Sequence, residues 1–194
     1  MRREITMATI AKLTLKEYER IVATGVFDGL KKRRIELIRG ELREMSPIGP
    51  NHCDIVDWLN VWSVKNGGDG TFRVRVQEPV AFETVDSEPE PDVVWAKPKR
   101  YSDAHPTPDE ILLLIEVADS SLENDRGEKA EVYADVGIQD YWIVNLVDRT
   151  VEVRRDPRGG KYRDTRSFGL GDSVQPLLVA GAILNVAEMF GPLS

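Results

Sequence analysis

Asp92, Glu116 and Lys129 are the residues of this chain whose types and spacing could do chemistry. Asp92 follows Pro91 and opens the short apolar stretch 92–95; Glu116 ends the run Ile111-Leu-Leu-Leu-Ile115; Lys129 falls inside a helical stretch. Two carboxylates and an ammonium suit metal-assisted cleavage of a phosphodiester. The acids hold a cation, and the ammonium orients water or steadies charge growing on the phosphate. A carboxylate at the end of a buried strand is costly unless a cation or hydrogen bonds compensate it. If the two strands are neighbours, anions about 4 Å apart repel by roughly 4 kcal/mol at an effective dielectric of 20. Such a pair needs a shared cation, a shared proton or separation, and oxygen-only ligands favour Mg²⁺ or Mn²⁺. The plainer alternative is two solvated strand ends and a lysine that snorkels to the surface.

The elements that must position these residues can be read from pattern. Thr14-Leu-Lys-Glu17 has capping-box spacing and predicts a helix over 15–23, broken by Gly25 and Asp28-Gly29. Residues 34–38 and 41–45 alternate around Arg39-Gly40 as a hairpin. Ile55, Trp58, Leu59 and Trp62 mark an amphipathic helix over 51–65. Strands are expected at 71–77, 79–82, 92–95 and 111–117. A helix follows from Asn124 or Asp125 to a left-handed cap at Gly137. On that helix Lys129, Val132, Tyr133 and Val136 share the face that should pack on the sheet. A hairpin at 140–144 and 150–154, strands at 162–167 and 173–178, and a closing helix over 185–190 complete the chain. The sum is α/β or α+β, a mixed sheet flanked by helices.

Composition bounds the rest. At 194 residues with 41% apolar content, the expectation is a flexible leader at 1–13 and one domain over 14–194. No apolar stretch approaches the roughly 20 residues of a membrane span. The opening residues lack the apolar segment of a secretory signal, and Cys53 alone cannot form an internal disulfide, so the cytoplasm is the expected compartment. The formal net charge of −7 argues against strong non-specific nucleic-acid binding, but not against an acidic site that takes a metal. Basic residues cluster at 31–34, 97–100 and 154–166, which also suits a solvated surface.

Weaker candidates are Glu36, His52 and Gln77. Glu36 alternates with Ile35 and Leu37, so it is exposed if their side is core. His52 sits near a helix start, as a cap or surface residue or in a cleft. Gln77 ends a strand before Pro79, lining a cleft or finishing an edge. Neither a Gly-rich phosphate loop nor enough His and Cys for a typical zinc site is present.

The ordered set of motifs resembles the Uma-two family, a bacterial group of restriction-type endonucleases in the PD-(D/E)xK superfamily. The match runs through residues 34–47 with His52, through Val76-Gln-Glu-Pro-Val80 and Glu90-Pro-Asp-Val-Val94, through 114–121 with Asp125 and Lys129, and through 133–144. It covers roughly residues 14–190. The resemblance implies a restriction endonuclease-like core with an N-terminal helix and hairpin. It implies that Asp92 and Glu116 bind Mg²⁺ or Mn²⁺, with the Val117 carbonyl completing the shell. It implies a catalytic role for Lys129 and a further acid in Glu36. Where the superfamily's usual lysine would follow Glu116 by two residues, this chain has Ala118, and Lys129 on the next helix replaces it. DNA is then the expected substrate and a homodimer the expected assembly. The alternative is a nuclease fold kept as a catalytically silent binding or scaffold protein. Trp142 and the 140–154 hairpin are possible interface pieces if they are not core.

Overall fold

A computed structural model describes residues 10–27, 34–67 and 70–191. The expected break at Asp28-Gly29, the basic residues 31–33 and most of the expected leader lie outside them. Helix α1 (Leu15–Ala23) starts with the expected capping box: the Glu17 amide donates to Thr14 Oγ1 at 3.3 Å, and Glu17 Oε2 accepts from the Thr14 amide at 2.8 Å. Strands β1 (Ile35–Ile38) and β2 (Glu41–Glu44) form a separate hairpin. Its two-residue turn has positive φ at both Arg39 (50°) and Gly40 (78°), the twist that matches a hairpin. A Cβ on Gly40 would stand 2.8 Å from the Leu13 carbonyl oxygen, so the close approach of the 10–14 segment also requires glycine.

The main sheet has six strands in the order β3-β4-β5-β6-β7-β8. These are β3 (Arg73–Val76), β4 (Val93–Ala96), β5 (Ile111–Ala118), β6 (Asp140–Asn145), β7 (Thr150–Arg158) and β8 (Lys161–Phe168). Neighbours are antiparallel except β5 and β6, which are parallel and therefore need a crossover. The crossover is helical throughout: α3 (Leu122–Asn124), a π-helical turn (Asp125–Lys129) and α4 (Ala130–Asp135) follow one another without a break. Gly137 ends it at φ 82°, as expected of a left-handed cap.

Alternation along β4 and β5 sorts the core into two layers. Val93, Trp95, Leu113, Ile115 and Val117 pack against helix α2 (Pro50–Asn66) through Ile55, Leu59 and Trp62. Trp95 stacks on Trp62 and Phe72 with centroids 4.9 and 3.9 Å away, and its indole N–H donates to Ser63 Oγ at 2.7 Å. The other face carries Val94, Leu114 and Ala118 against Val132 and Tyr133 of α4. The chain closes with a two-residue pair, β9 (Ser173–Val174) with β10 (Leu184–Asn185), and helix α5 (Val186–Phe190), capped by the Asn185 side chain.

Three expectations need correction. Residues 79–82 form no strand, because the chain turns there through a 3₁₀ segment at Glu83–Val85. The strand expected at 173–178 is only two residues long, because Pro176 cannot donate to a ladder. Trp142 is fully buried, with its N–H on Asp140 Oδ1 at 2.8 Å, so it is core and offers no interface.

Candidate active site

Asp92 immediately precedes β4. Val93 pairs with Ile115, so continuing the antiparallel register by one residue sets Asp92 opposite Glu116, on the same face of the sheet. There the Asp92 side chain takes over the ladder: Oδ2 accepts the backbone N–H of Val117 at 2.8 Å. His52 Nε2, from the first turn of α2, lies 3.2 Å from Oδ2, and Gln77 Nε2 donates to Oδ1 at 3.0 Å. Gln77 also donates its backbone N–H to the Asp92 carbonyl at 3.1 Å. Burial alone would push the Asp92 carboxyl up. The contacts from His52, Gln77 and Val117 outweigh it and hold the group below its usual range.

Glu116 faces α4. Its Oε1 accepts from Lys129 Nζ at 3.1 Å and from the Tyr133 hydroxyl at 2.6 Å. Lys129 Nζ also stands 3.3 Å from Oε2 of Glu36, which accepts the Glu90 amide at the same distance. The ammonium therefore bridges β1 and β5. Lys129 is only 4% exposed, so the snorkelling alternative fails. Burial disfavours its charge, but Glu116, Glu36 and Asp125 outweigh that and raise its pKa. Burial pushes the Glu116 carboxyl up to about 8, with Lys129 opposing and Asp125 and Asp92 adding to the rise.

The exposure expected of Glu36 is also overturned: it is 3% exposed, because β1 is covered on both faces and its alternation does not separate core from solvent. His52 is buried rather than a surface cap, and Gln77 faces the acid rather than finishing an edge.

Of these groups Glu36, His52, Asp92, Glu116, Val117 and Lys129 line one cavity of about 280 Å³, while Gln77 and Tyr133 hold its acids from outside the lining. Asp125 lines it too, buried, with Oδ2 accepting from Ser121 Oγ at 2.7 Å and its carboxyl raised chiefly by burial. The sequence pattern marked Asp125 only as a helix start. Its link to the site is the π-helical turn, which carries both Asp125 and Lys129 buried on its inner side. Such turns occur preferentially at functional sites. Inside the cavity four buried carboxyls thus face one buried ammonium. At the mouth Arg34 is paired with Glu90 at 2.9 Å, and Arg43 reaches Glu41 at 2.6 Å and Glu128 at 3.0 Å.

The surplus of negative charge and the all-oxygen donors fit a hard divalent cation. Among the described residues no group of three or more His, Cys, Asp or Glu side chains is already arranged to hold one. The reason is visible in the contacts: Lys129 and Tyr133 occupy Oε1 of Glu116, and three donors hold Asp92.

A family model described as "Putative restriction endonuclease", Uma2, matches residues 16–187 of the chain. The chain belongs to the Uma2 family. Among solved structures it is similar to the crystal structure of "a putative nuclease belonging to DUF820" from Anabaena variabilis, with a TM-score of 0.71 at 17% identity. That likeness covers 92% of this chain and 97% of the other, and it shows that the two share a fold. No curated protein matches the chain. In this Uma2 chain Asp92 immediately precedes β4, Glu116 lies on the adjacent strand β5, and Lys129 lies on the helical crossover that follows.

Proposed function

We propose that this Uma2 protein is a nuclease that hydrolyses phosphodiester bonds of DNA with a divalent cation, Mg²⁺ or Mn²⁺. The observation that carries this is the convergence of Asp92, Glu116, Glu36 and Lys129, all buried, on one cavity with too many carboxyls for its single ammonium. Asp92 and Glu116 would hold the cation. The Val117 carbonyl is a further donor, since in an extended strand it leaves on the same edge as the N–H that meets Asp92. A bound cation supplies Lewis acidity toward a phosphoryl oxygen and acidifies water.

The chain's own groups do the rest. Lys129 keeps its proton, so it serves as a fixed positive charge against the developing phosphate charge and not as a base. Glu36 shares that ammonium with Glu116, at 3.3 Å against 3.1 Å, and so divides its charge between the two acids. His52 and Gln77 fix the Asp92 carboxylate in one orientation. Arg34 and Arg43 at the mouth present guanidinium groups where a phosphate backbone would enter.

A second reading is a silent binding module. It is favoured by protein donors already engaging both acids, at Asp92 Oδ2 and at Glu116 Oε1. Incubating plasmid with purified protein and Mn²⁺ or Mg²⁺, beside Glu116→Ala and Lys129→Ala, decides between them. Cleavage by the wild type, lost in both variants, supports the nuclease. No cleavage with either metal, or equal cleavage by all three proteins, refutes it.

A further inference from the structure

Tyr133 is a core aromatic by pattern, yet its hydroxyl is the shortest hydrogen bond made to either strand-end acid, 2.6 Å from Glu116 Oε1. Its ring is fully buried. It is fixed edge-on to Phe82, with centroids 6.0 Å apart at 85°, and to Tyr141 at 4.9 Å and 73°. Tyr141 in turn donates to the Asp125 carbonyl at 2.9 Å, which ties this aromatic pair to the π-helical turn. The phenol therefore has almost no freedom to follow Glu116 if the acid moves.

Both donors, Tyr133 and Lys129, sit on Oε1. No hydrogen bond among the described residues reaches Oε2, and Oε2 is not one of the polar atoms sealed from solvent without a partner. In a residue that lines the cavity, that oxygen is the one left open to it. A carboxylate's terminal torsion is broad and soft. With Lys129 as its only donor, Glu116 could turn both oxygens toward the ammonium and spend them there. A second, rigid donor on Oε1 opposes that rotation.

We infer that Tyr133 is a positioning residue for cation binding: its hydroxyl pins Oε1 of Glu116 beside Lys129 and so presents Oε2 to the cavity as a ligand. This rests on the reading of Glu116 as a cation ligand. Outer groups that orient a ligand typically contribute about 10–100-fold to metal affinity.

The test is calorimetric titration of Mn²⁺ into the wild type, Glu116→Gln, Tyr133→Phe and Tyr141→Phe, with thermal unfolding of each. Tyr141→Phe removes a neighbouring buried hydroxyl that does not touch Glu116, so it reports the cost of such a loss to the fold alone. The expected result is Mn²⁺ binding by the wild type, its loss in Glu116→Gln, about 10–100-fold weaker binding in Tyr133→Phe, and less than about twofold change in Tyr141→Phe. If Glu116→Gln abolishes binding while Tyr133→Phe matches the wild type, or Tyr141→Phe weakens it equally, the positioning role is overturned and the cation reading stands. If the wild type binds no Mn²⁺, or Glu116→Gln binds as well, the cation reading itself falls and takes this inference with it. Should Tyr133→Phe not fold, 3-fluorotyrosine at position 133 keeps the ring and changes only the strength of the donor. An altered Mn²⁺ affinity then supports the role, and an unaltered one overturns it.

Discussion

Lys129 Nζ lies 3.1 Å from Glu116 Oε1, and both residues are buried, at 4% and 3% exposed. The pair is more than a structural ion pair, because the same ammonium serves Glu36 at 3.3 Å and is the one buried ammonium among four buried carboxyls of the cavity. Buried pairs of this kind contribute little net stability, yet breaking one by removing a single partner costs about 3–5 kcal/mol. Their presence is better explained by function than by stability.

Lys129→Met should therefore be costly to the fold as well as to activity. The remaining carboxyls would lose their counter-charge and would have to take up protons. The expected outcome in thermal unfolding is a Tm drop of roughly 10 °C near pH 8, from a loss of about 3–5 kcal/mol. The drop should shrink toward pH 5, where Glu116, raised by burial to about 8, is protonated in either protein. An unchanged Tm at pH 8 would refute the electrostatic account of the cavity.

The pH dependence of the cation-free protein follows from Glu116. Its folded carboxyl is raised by burial to about 8, against 4.5 for the free group. Between those values the folded state holds a proton that the unfolded state has released, so stability falls as pH rises from about 4.5 to about 8. Cation and proton compete for the same oxygens, so Mn²⁺ affinity should rise over the same window and level off above about 8. Titrations at pH 6, 7 and 8.5 check this, and Glu116→Gln should flatten the stability profile.

Much of the site was legible and some was not, for physical reasons. Asp92, Glu116 and Lys129 stood out because each is a charge in an apolar pattern, and such patterns report burial directly. Glu36 was not legible from alternation, because β1 packs with α1 through Leu37 and joins the larger core through Ile38, so it is buried on both faces. It entered only through family resemblance. Asp125 and Tyr133 were missed for a different reason. Asp125 lies four residues before Lys129 and shares its face by the ordinary helical period, but an acid at a helix start is already accounted for by the N-terminal amides beside it. A tyrosine on an apolar face looks like core whether or not its hydroxyl has a task.

Glu88 gives a stability prediction away from the cation ligands. It is buried, its Oε2 has no hydrogen-bond partner among the described residues, and burial with the nearby Glu19 and Glu90 raises its carboxyl to about 7. The sign is the same as for Glu116: the folded state keeps the proton longer, so stability falls as pH rises from about 4.5 to about 7 and levels off above. Glu88→Gln removes the charge and keeps the shape. After allowing for partial solvent screening, the gain at pH 8 should be on the order of 1–2 kcal/mol, or a Tm higher by about 2–8 °C. At pH 4.5 the two proteins should unfold together. A variant that is equally stabilised at both pH values would point to packing instead of charge.

Gln77→Gly should separate stability from chemistry. Gln77 has φ 50°, a left-handed conformation that a residue with a Cβ enters at a cost of about 1 kcal/mol or more. That strain brings its amide N–H onto the Asp92 carbonyl and its side chain onto Asp92 Oδ1. Glycine would adopt the backbone freely but would leave Oδ1 without its donor, and the entropy glycine adds to the unfolded chain offsets part of the relief. The expected result is a Tm within about 3 °C of the wild type together with roughly tenfold or greater loss of Mn²⁺ affinity and DNA cleavage. Gln77→Ala keeps the strain and loses the same donor, so it should lose as much affinity and also fall in Tm. If Gln77→Gly binds Mn²⁺ as tightly as the wild type, the orientation of Asp92 does not depend on this residue, and His52 and the Val117 amide suffice to hold it.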